Sequence, residues 1–218
     1  MNDILNLKPL IILGSGTHAK VLYNILKKSG REILGVTDPK GKVSKNLYDL
    51  NVIGTDEIIF KYSFHEVELV NGVAGLNNIN NRQQLTKKFV SEGYKFSKVI
   101  HPSVIISDNV KLDEGVQIMA GAILQNNVRV GSSSIINTGA IIDHDCIIYK
   151  NCHIGPGVVL NGNVVIGESS HIGTGTSVIE NKKIGPNSII AAGSVIYKNI
   201  PKNKKLIQLR QEKMESLE

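Results

Sequence analysis

The sequence predicts two units in tandem: a small α/β domain with a Rossmann-like parallel sheet over residues 1–100, and a hexapeptide solenoid over residues 101–200, followed by a capping tail over 201–218. Two observations carry this. From Ile106 to Ile196 an aliphatic residue recurs at every sixth position without a miss, through Leu112, Ile118, Leu124, Val130, Ile136, Ile142 and onward. Neither an amphipathic helix nor a simple hairpin has that period, whereas a solenoid of short strands and turns does. Upstream, the apolar run Leu10-Ile11-Ile12-Leu13 stops at Gly14-Ser15-Gly16 and gives way to a helical pattern, Ala19, Val21, Leu22, Ile25 and Leu26, closed by Gly30. Strand, glycine turn and helix in that order open a nucleotide-binding α/β unit.

The remaining elements of the first unit follow in order. Ile33-Leu34-Gly35-Val36-Thr37 reads as a second parallel strand ending in Asp38-Pro39. Val52-Ile53 is a further strand candidate, with Thr55 or Asp56 placed to cap a short helix over 57–61. Residues 68–74 form the next strand, a Gly-Leu-Asn-Asn turn follows, and a helix over 80–92 containing Leu85 and Phe89 ends at Gly93. Gly14-Ser15-Gly16 is the first half of a dinucleotide fingerprint in which Ala19 takes the place of the third glycine. Asp38, 22 residues past Gly16, has roughly the spacing of an acid that meets a ribose. The unit is half the length of a full dinucleotide fold, so it suits a nucleoside diphosphate better than a whole NAD.

In the second unit each hexapeptide is one short strand plus a turn, and three make a triangular coil. Glycines and asparagines recur at the corners, where tight turns need residues tolerant of unusual φ. No insertion of more than a residue or two interrupts the period, so no long loop is expected to protrude from the coils. Pro201 ends it, and the Lys/Glu/Gln-rich tail with Leu206, Ile207 and Leu209 is expected to form a short capping helix.

Composition excludes several classes. The net charge of +6 is uneven: residues 1–100 carry 14 Lys/Arg against 9 Asp/Glu, and residues 101–200 carry 6 against 7. A nearly neutral solenoid offers no basic groove for nucleic acid. No run approaches a membrane span and no leader precedes Pro9, so a cytoplasmic protein is expected. The two cysteines, Cys146 and Cys152, are six apart at inward positions on different sides of the triangle and are read as buried hydrophobes rather than a disulfide.

His144, His153 and His171, with Asp143 and Asp145, are the chemistry-bearing residues of the solenoid. His153 and His171 are 18 apart and stack one coil above the other, while His144 lies about half a coil away on another side. Within one chain His144 and His153 cannot easily share a site; between subunits of a homotrimer they can. These donors also suit zinc, but no two of the histidines have a close local spacing, so no metal is expected. Acyl transfer needs a neutral histidine as base, an acid to orient it and a donor for the developing oxyanion. His144 with Asp145 or Asp143 meets the first two needs, and His153 or a backbone N–H the third.

The segment Gly14-Ser15-Gly16-Thr17-His18-Ala19-Lys20, the pair Asp38-Pro39 and the run Asn137-Thr138-Gly139-Ala140-Ile141-Ile142-Asp143-His144-Asp145, on this two-part plan, resemble the sugar acyltransferases of the sialic-acid O-acetyltransferase type. They look still more like the bacterial UDP- or dTDP-amino-sugar N-acetyltransferases that make bacillosamine and related sugars. The resemblance spans about residues 9–200. It implies a left-handed parallel β-helix, with His144 as the base that deprotonates the 4-amino group of a 4-amino-4,6-dideoxysugar and Asp145 as the acid that polarises it. It implies acetyl-CoA as cosubstrate, lying between two β-helices of a trimer against His153, Asn137, Gly162, Gly173 and Ala192. The nucleotide part of the sugar is then expected at Gly14, Ser15, Gly16, His18, Asp38 and Pro39. O-acetylation of a sugar such as sialic acid, and a non-catalytic solenoid scaffold, remain open alternatives on the residues alone.

Overall fold

The structure is a computed structural model and describes residues 7–41, 50–74 and 79–208. Its first part is a four-stranded, fully parallel sheet in the order β3-β2-β1-β4, built from β1 (Leu10–Leu13), β2 (Ile33–Thr37), β3 (Val52–Gly54) and β4 (Glu68–Asn71). The central strand β1 is wholly buried because both faces of the sheet are covered, which is why its four residues are all aliphatic. Leu10 and Ile12 pack with Ala19, Leu22, Ile25 and Leu26 of α1 (Thr17–Lys28). Ile11 and Leu13 pack on the opposite face with Phe89 of α2 (Ile79–Ser91), Tyr94 and Phe96.

Some local expectations shift. The strand expected over 68–74 ends at Asn71. The short helix after β3 is a 3-10 helix over Asp56–Lys61, and Thr55 sits at its cap without a side-chain capping bond; the Asp56 carboxylate instead accepts the Thr37 hydroxyl. The Gly-Leu-Asn-Asn turn at 75–78 lies outside the described residues, as do 209–218.

From Val99 the chain winds as a triangular stack, the left-handed parallel β-helix, with three parallel sheets of two-residue strands. The first face holds Val99–Ile100, Gln117–Ile118, Ile135–Ile136, His153–Ile154, His171–Ile172, Ile189–Ile190 and Lys205–Leu206. The second holds Ile105–Ile106, Ile123–Leu124, Ile141–Ile142, Val159–Leu160, Ser177–Val178 and Val195–Ile196; the third runs from Lys111–Leu112 to Lys183–Ile184. Partners in register are 18 residues apart, as in Ile135 beside Gln117 and His171 beside His153. The inward aliphatics from Ile118 to Ile196 are at most 1% exposed, while Ile106, at the open lower end, is 41% exposed for want of a coil beneath it. The residue three places after each inward aliphatic from Ile106 to Ile190 takes a positive φ, from Asn109 through Gly115, Asn127 and Asp145 to Gly193, which explains the Asn/Gly recurrence.

The C-terminal expectation needs correction. Lys205–Leu206 is a strand that pairs with Ile189–Ile190 and extends the first face, not the start of a helix. The last coil leaves an unpaired strand edge, and a strand satisfies its N–H and C=O groups where a helix would not.

The outer side of the first face is where the two parts join. Val99, Ile135 and the turn residue Met119 are buried in the same cluster as α1 and Leu10. The α/β sheet therefore stands on the first face, with the carboxyl ends of its strands placed beside Gln117 and His153.

Candidate active site

The strand order reverses at β1, between β2 and β4, and ligands of such sheets bind outside the carboxyl ends at that switch point. A cleft of about 490 Å³ opens there, lined by Gly14, Ser15, Gly16, Thr17 and His18 after β1, Pro39 after β2, Asp56 after β3, and Gly72, Val73 and Ala74 after β4. The turn is tied down from several sides. Gly14 has φ +92 and donates its N–H to Thr37 Oγ1 at 3.0 Å. Ser15 Oγ donates to the Asp38 carboxylate, which also accepts the Lys40 N–H at 2.8 Å. Those bonds, the Ser15 hydroxyl first, hold the Asp38 carboxyl below its ordinary pKa. α1 is capped by Gly16 with no side-chain cap bond and has no acid in its first turn, so its N-terminal amides and positive dipole end face the cleft. Ala19 fits the position of the fingerprint's third glycine because the residue opposite is Gly72; a Cβ there would stand 2.9 Å from the Ala19 methyl.

His18 bridges this cleft to the solenoid, its Nε2 lying 2.8 Å from Gln117 Oε1. Two strands above Gln117 on the same face is His153, whose ring packs edge-on against His171 with centroids 4.9 Å apart. Burial, with the nearby His171, His18 and Arg82, pushes the His153 pKa down to about 3, so this imidazole is neutral at physiological pH. Asn137 Nδ2 lies 3.2 Å from His153 Nε2, and Asn137 Oδ1 accepts the Thr138 N–H at 2.8 Å. That orientation makes the Asn137 amide nitrogen the donor and His153 Nε2 the acceptor, which leaves the proton of His153 on Nδ1.

His144 stands elsewhere, at the corner between the second and third faces. Asp143 Oδ1 accepts the His144 N–H at 2.8 Å and opens the turn, and Asp145 takes the positive-φ corner slot with φ 60. Asp145 Oδ2 is 2.8 Å from His144 Nδ1, and Asn127 Nδ2 donates to Asp145 Oδ1 from the coil below at 3.1 Å. The His144 pKa is raised by the Asp145 hydrogen bond and by the charge of Asp143, and that of Asp145 is lowered. Both side chains are about half exposed, at 54% and 45%. Asp145 therefore holds the proton of His144 on Nδ1 and leaves Nε2 as the free base. Gly162 is the residue directly above: a Cβ on it would lie 2.5 Å from the His144 ring.

The residues singled out in the sequence thus fall into two sets. His153, Asn137, Gly173 and Ala192 share the first face and the corner that follows it, with Gly173 pressed against the backbone of Ala192. His144, Asp145 and Gly162 share the next corner, and the second face separates the sets. Gln117, Asn71, Arg82 and Asp56 are site residues that sequence reasoning did not find. Two other concavities, about 640 and 530 Å³, run along the third face, and Asp145, Asn127 and Arg129 border the smaller. Among the described residues no three His, Cys, Asp or Glu side chains come together as a metal site requires, and no helix is long and apolar enough to cross a membrane.

Residues 9–89 match the family model described as the PglD N-terminal domain. A single-residue mutant of perosamine N-acetyltransferase from Caulobacter crescentus, solved with CoA and GDP-perosamine, is 31% identical over 90% of this chain and 92% of its own, with a TM-score of 0.82. The chain belongs to the nucleotide-sugar N-acetyltransferases, an acetyl-CoA-dependent branch of the hexapeptide-repeat, left-handed β-helix acyltransferases. The acetyltransferase domain of PglB from Neisseria gonorrhoeae, solved with acetyl coenzyme A, is 30% identical over 90% of this chain and 94% of that one, with a TM-score of 0.82. WeeI from Acinetobacter baumannii shares the fold at 21% identity and a TM-score of 0.81. Comparison with curated proteins finds no match.

Proposed function

We propose that this N-acetyltransferase moves the acetyl group of acetyl-CoA to the 4-amino group of a nucleotide-linked 4-amino-4,6-dideoxysugar of the bacillosamine or perosamine kind. The observation that carries it is the His144–Asp145 pair, bonded at 2.8 Å and open to solvent at a corner of an otherwise loop-free stack. His144 Nε2 takes a proton from the amine as its nitrogen attacks the thioester carbonyl. The second N–H of the Asn137 amide, whose other N–H donates to His153 Nε2, or a backbone N–H carries the oxyanion, the C–S bond breaks, and the departing thiolate recovers the proton from His144. Transfer is direct, because burial raises the Cys146 and Cys152 thiols to about 11 and about 12, and neither supplies a thiolate to hold the acetyl group. Two free cysteines also suit a reducing, cytoplasmic setting.

The two halves of this machinery meet between protomers. The second face presents Ile105, Ile123, Ile141, Val159 and Val195 outward as an aliphatic stripe broken by Ser177, with Ile105 59% exposed and Val195 44%. A stripe of that kind on a monomer marks an interface. Packing it in a homotrimer brings one protomer's His144 corner to its neighbour's His153 corner, with acetyl-CoA in the groove between and the sugar nucleotide reaching from the glycine-turn cleft.

The carrier is decided by assay. The purified protein is given acetyl-CoA with UDP-, dTDP- or GDP-linked 4-amino-4,6-dideoxysugars, and free CoA is measured. Release with one amine carrier is the expected result. Release only with a hydroxyl acceptor such as sialic acid would replace the proposal with O-acetylation, and no release with any acceptor would leave a scaffold.

A further inference from the structure

Arg82 is the buried cation of the molecule's interior that no carboxylate among the described residues pairs. It is 7% exposed, yet among the described residues its guanidinium donates only to backbone carbonyls: Nη1 to Asn71 O at 3.1 Å and Val73 O at 2.8 Å, and Nη2 to Ser133 O on the solenoid at 3.1 Å. Asn71 is held in turn: its Nδ2 donates to Arg82 O at 3.0 Å and Thr86 Oγ1 at 2.9 Å, and its Oδ1 accepts the Val73 N–H at 3.0 Å. The second lone pair of Asn71 O accepts Gln117 Nε2 at 2.8 Å.

That last bond decides an orientation. A carbonyl cannot donate, so the end of the Gln117 amide facing Asn71 is the NH2 group, and Oε1 is the atom 2.8 Å from His18 Nε2. The flipped amide would set two acceptors against each other in a site where Gln117 is 1% exposed. Oε1 in turn cannot donate, so His18 carries a proton on Nε2.

We propose that Arg82, Asn71 and Gln117 are a positioning relay that presents His18 to the cleft as a hydrogen-bond acceptor at Nδ1, so that the substrate group taken there is a donor, a sugar hydroxyl or amine, and not a phosphate oxygen. The second part rests on the nucleotide-sugar substrate proposed above. Burial acts against a second proton on His18 and, opposed by the Gln117 bond and aided less strongly by the charge of Arg82, draws its pKa down to about 4. The other titratable ring nearby, His153, is itself neutral. An acceptor-only phosphate facing a lone pair on Nδ1 is repelled and turns to the amides at the start of α1.

The test has two arms. Two-dimensional 1H–15N spectra of the histidine side chains in the full-length protein at neutral pH report the tautomer. The expected result is a single proton on His18 at Nε2, lost or mixed with the Nδ1–H form in Gln117→Leu and Arg82→Met. A wild-type His18 carrying its proton on Nδ1, or on both nitrogens, would overturn the relay without recourse to any variant. In the second arm, calorimetric titration compares UDP, dTDP or GDP with the matching amino-sugar conjugate. His18→Ala is expected to weaken the conjugate about three- to tenfold, as loss of one hydrogen bond implies, and to leave the diphosphate within about twofold. Equal weakening of both would place phosphate on His18 and overturn the donor assignment. Failure of the wild type to bind any conjugate would overturn the proposed substrate and the donor assignment together, with the relay still decided by the spectra.

Discussion

Replacing Gly162 by alanine drives a methyl group into the imidazole of His144. The added Cβ would stand 2.5 Å from Cε1, 2.7 Å from Nε2 and 3.2 Å from Nδ1 of that ring, its three nearest atoms. The Gly162 backbone is not in the left-handed region, so alanine adopts it without backbone strain and the His144 ring is what it meets first. Restoring ordinary van der Waals contact requires the ring to move by about 1 Å, and a misplacement of that size costs on the order of 10²-fold in rate, about 2.7 kcal/mol of activation free energy. The ring is half exposed and free to swing outward, so folding should be untouched while the Asp145 bond is lost. Steady-state CoA release, with circular dichroism and thermal melting alongside, reads this: kcat falls about 10²-fold, both KM values stay near wild type, and the melting curve is unchanged. A kcat within about threefold of wild type would refute the view that the His144 ring over Gly162 is the working geometry.

Other outcomes follow from the same arrangement. His144→Ala should lower kcat by about 10²–10⁴-fold if Nε2 is the base. In the wild type the Asp145 bond stabilises the protonated ring, so activity should rise with pH through a midpoint above the ordinary histidine value as His144 loses its proton. Asp145→Asn removes that stabilisation and should move the acid limb of the kcat/KM profile to lower pH, an unmoved limb counting against the pairing; asparagine tolerates the φ of 60 there, so the fold is kept. Ile141→Glu on the aliphatic second face should dissociate the oligomer in light-scattering measurements and abolish turnover, and an active monomer would disprove the shared site. Mixed oligomers of His144→Ala and His153→Ala chains should regain about a quarter of wild-type activity by random pairing of intact halves; no recovery in verified mixed oligomers would place both histidines in one chain's site.

The solenoid was legible almost residue by residue, because a period of six leaves each inward position one chemical choice and each corner a small set of tolerated backbones. The pairing of His144 with Asp145 was legible for the same reason, the two being adjacent on one corner. What escaped is tertiary and long in sequence separation. His18 meets Gln117 across 99 residues, Arg82 reaches Ser133 across 51, and Gln117 reaches Asn71 across 46. No local pattern encodes contacts of that span; they follow from α1 burying its apolar side against Val99, Met119 and Ile135 on the first face. The tail misled because Lys205 and Leu206 carry no periodic signal of their own, and the open strand edge beneath them decides their conformation. Gly162 was legible as a site residue, but the ring it accommodates was not, since the eighteen-residue offset acquires meaning only when the coils stack.

That stacking separates two kinds of distance in the protein. Across the stack, the placement of His144 over Asp145 and under Gly162 is set within a single coil and its immediate neighbour. Along the stack, height accrues in whole steps of one strand spacing, about 4.8 Å per coil. Above His153 the first face carries His171, Ile189 and Lys205, a rise on the order of 15 Å. An insertion or deletion of one complete coil would lengthen or shorten that rise without turning any side chain to another face. The stack is in this sense a ruler: its length is adjustable in fixed increments, while the angle between base and acid stays the same.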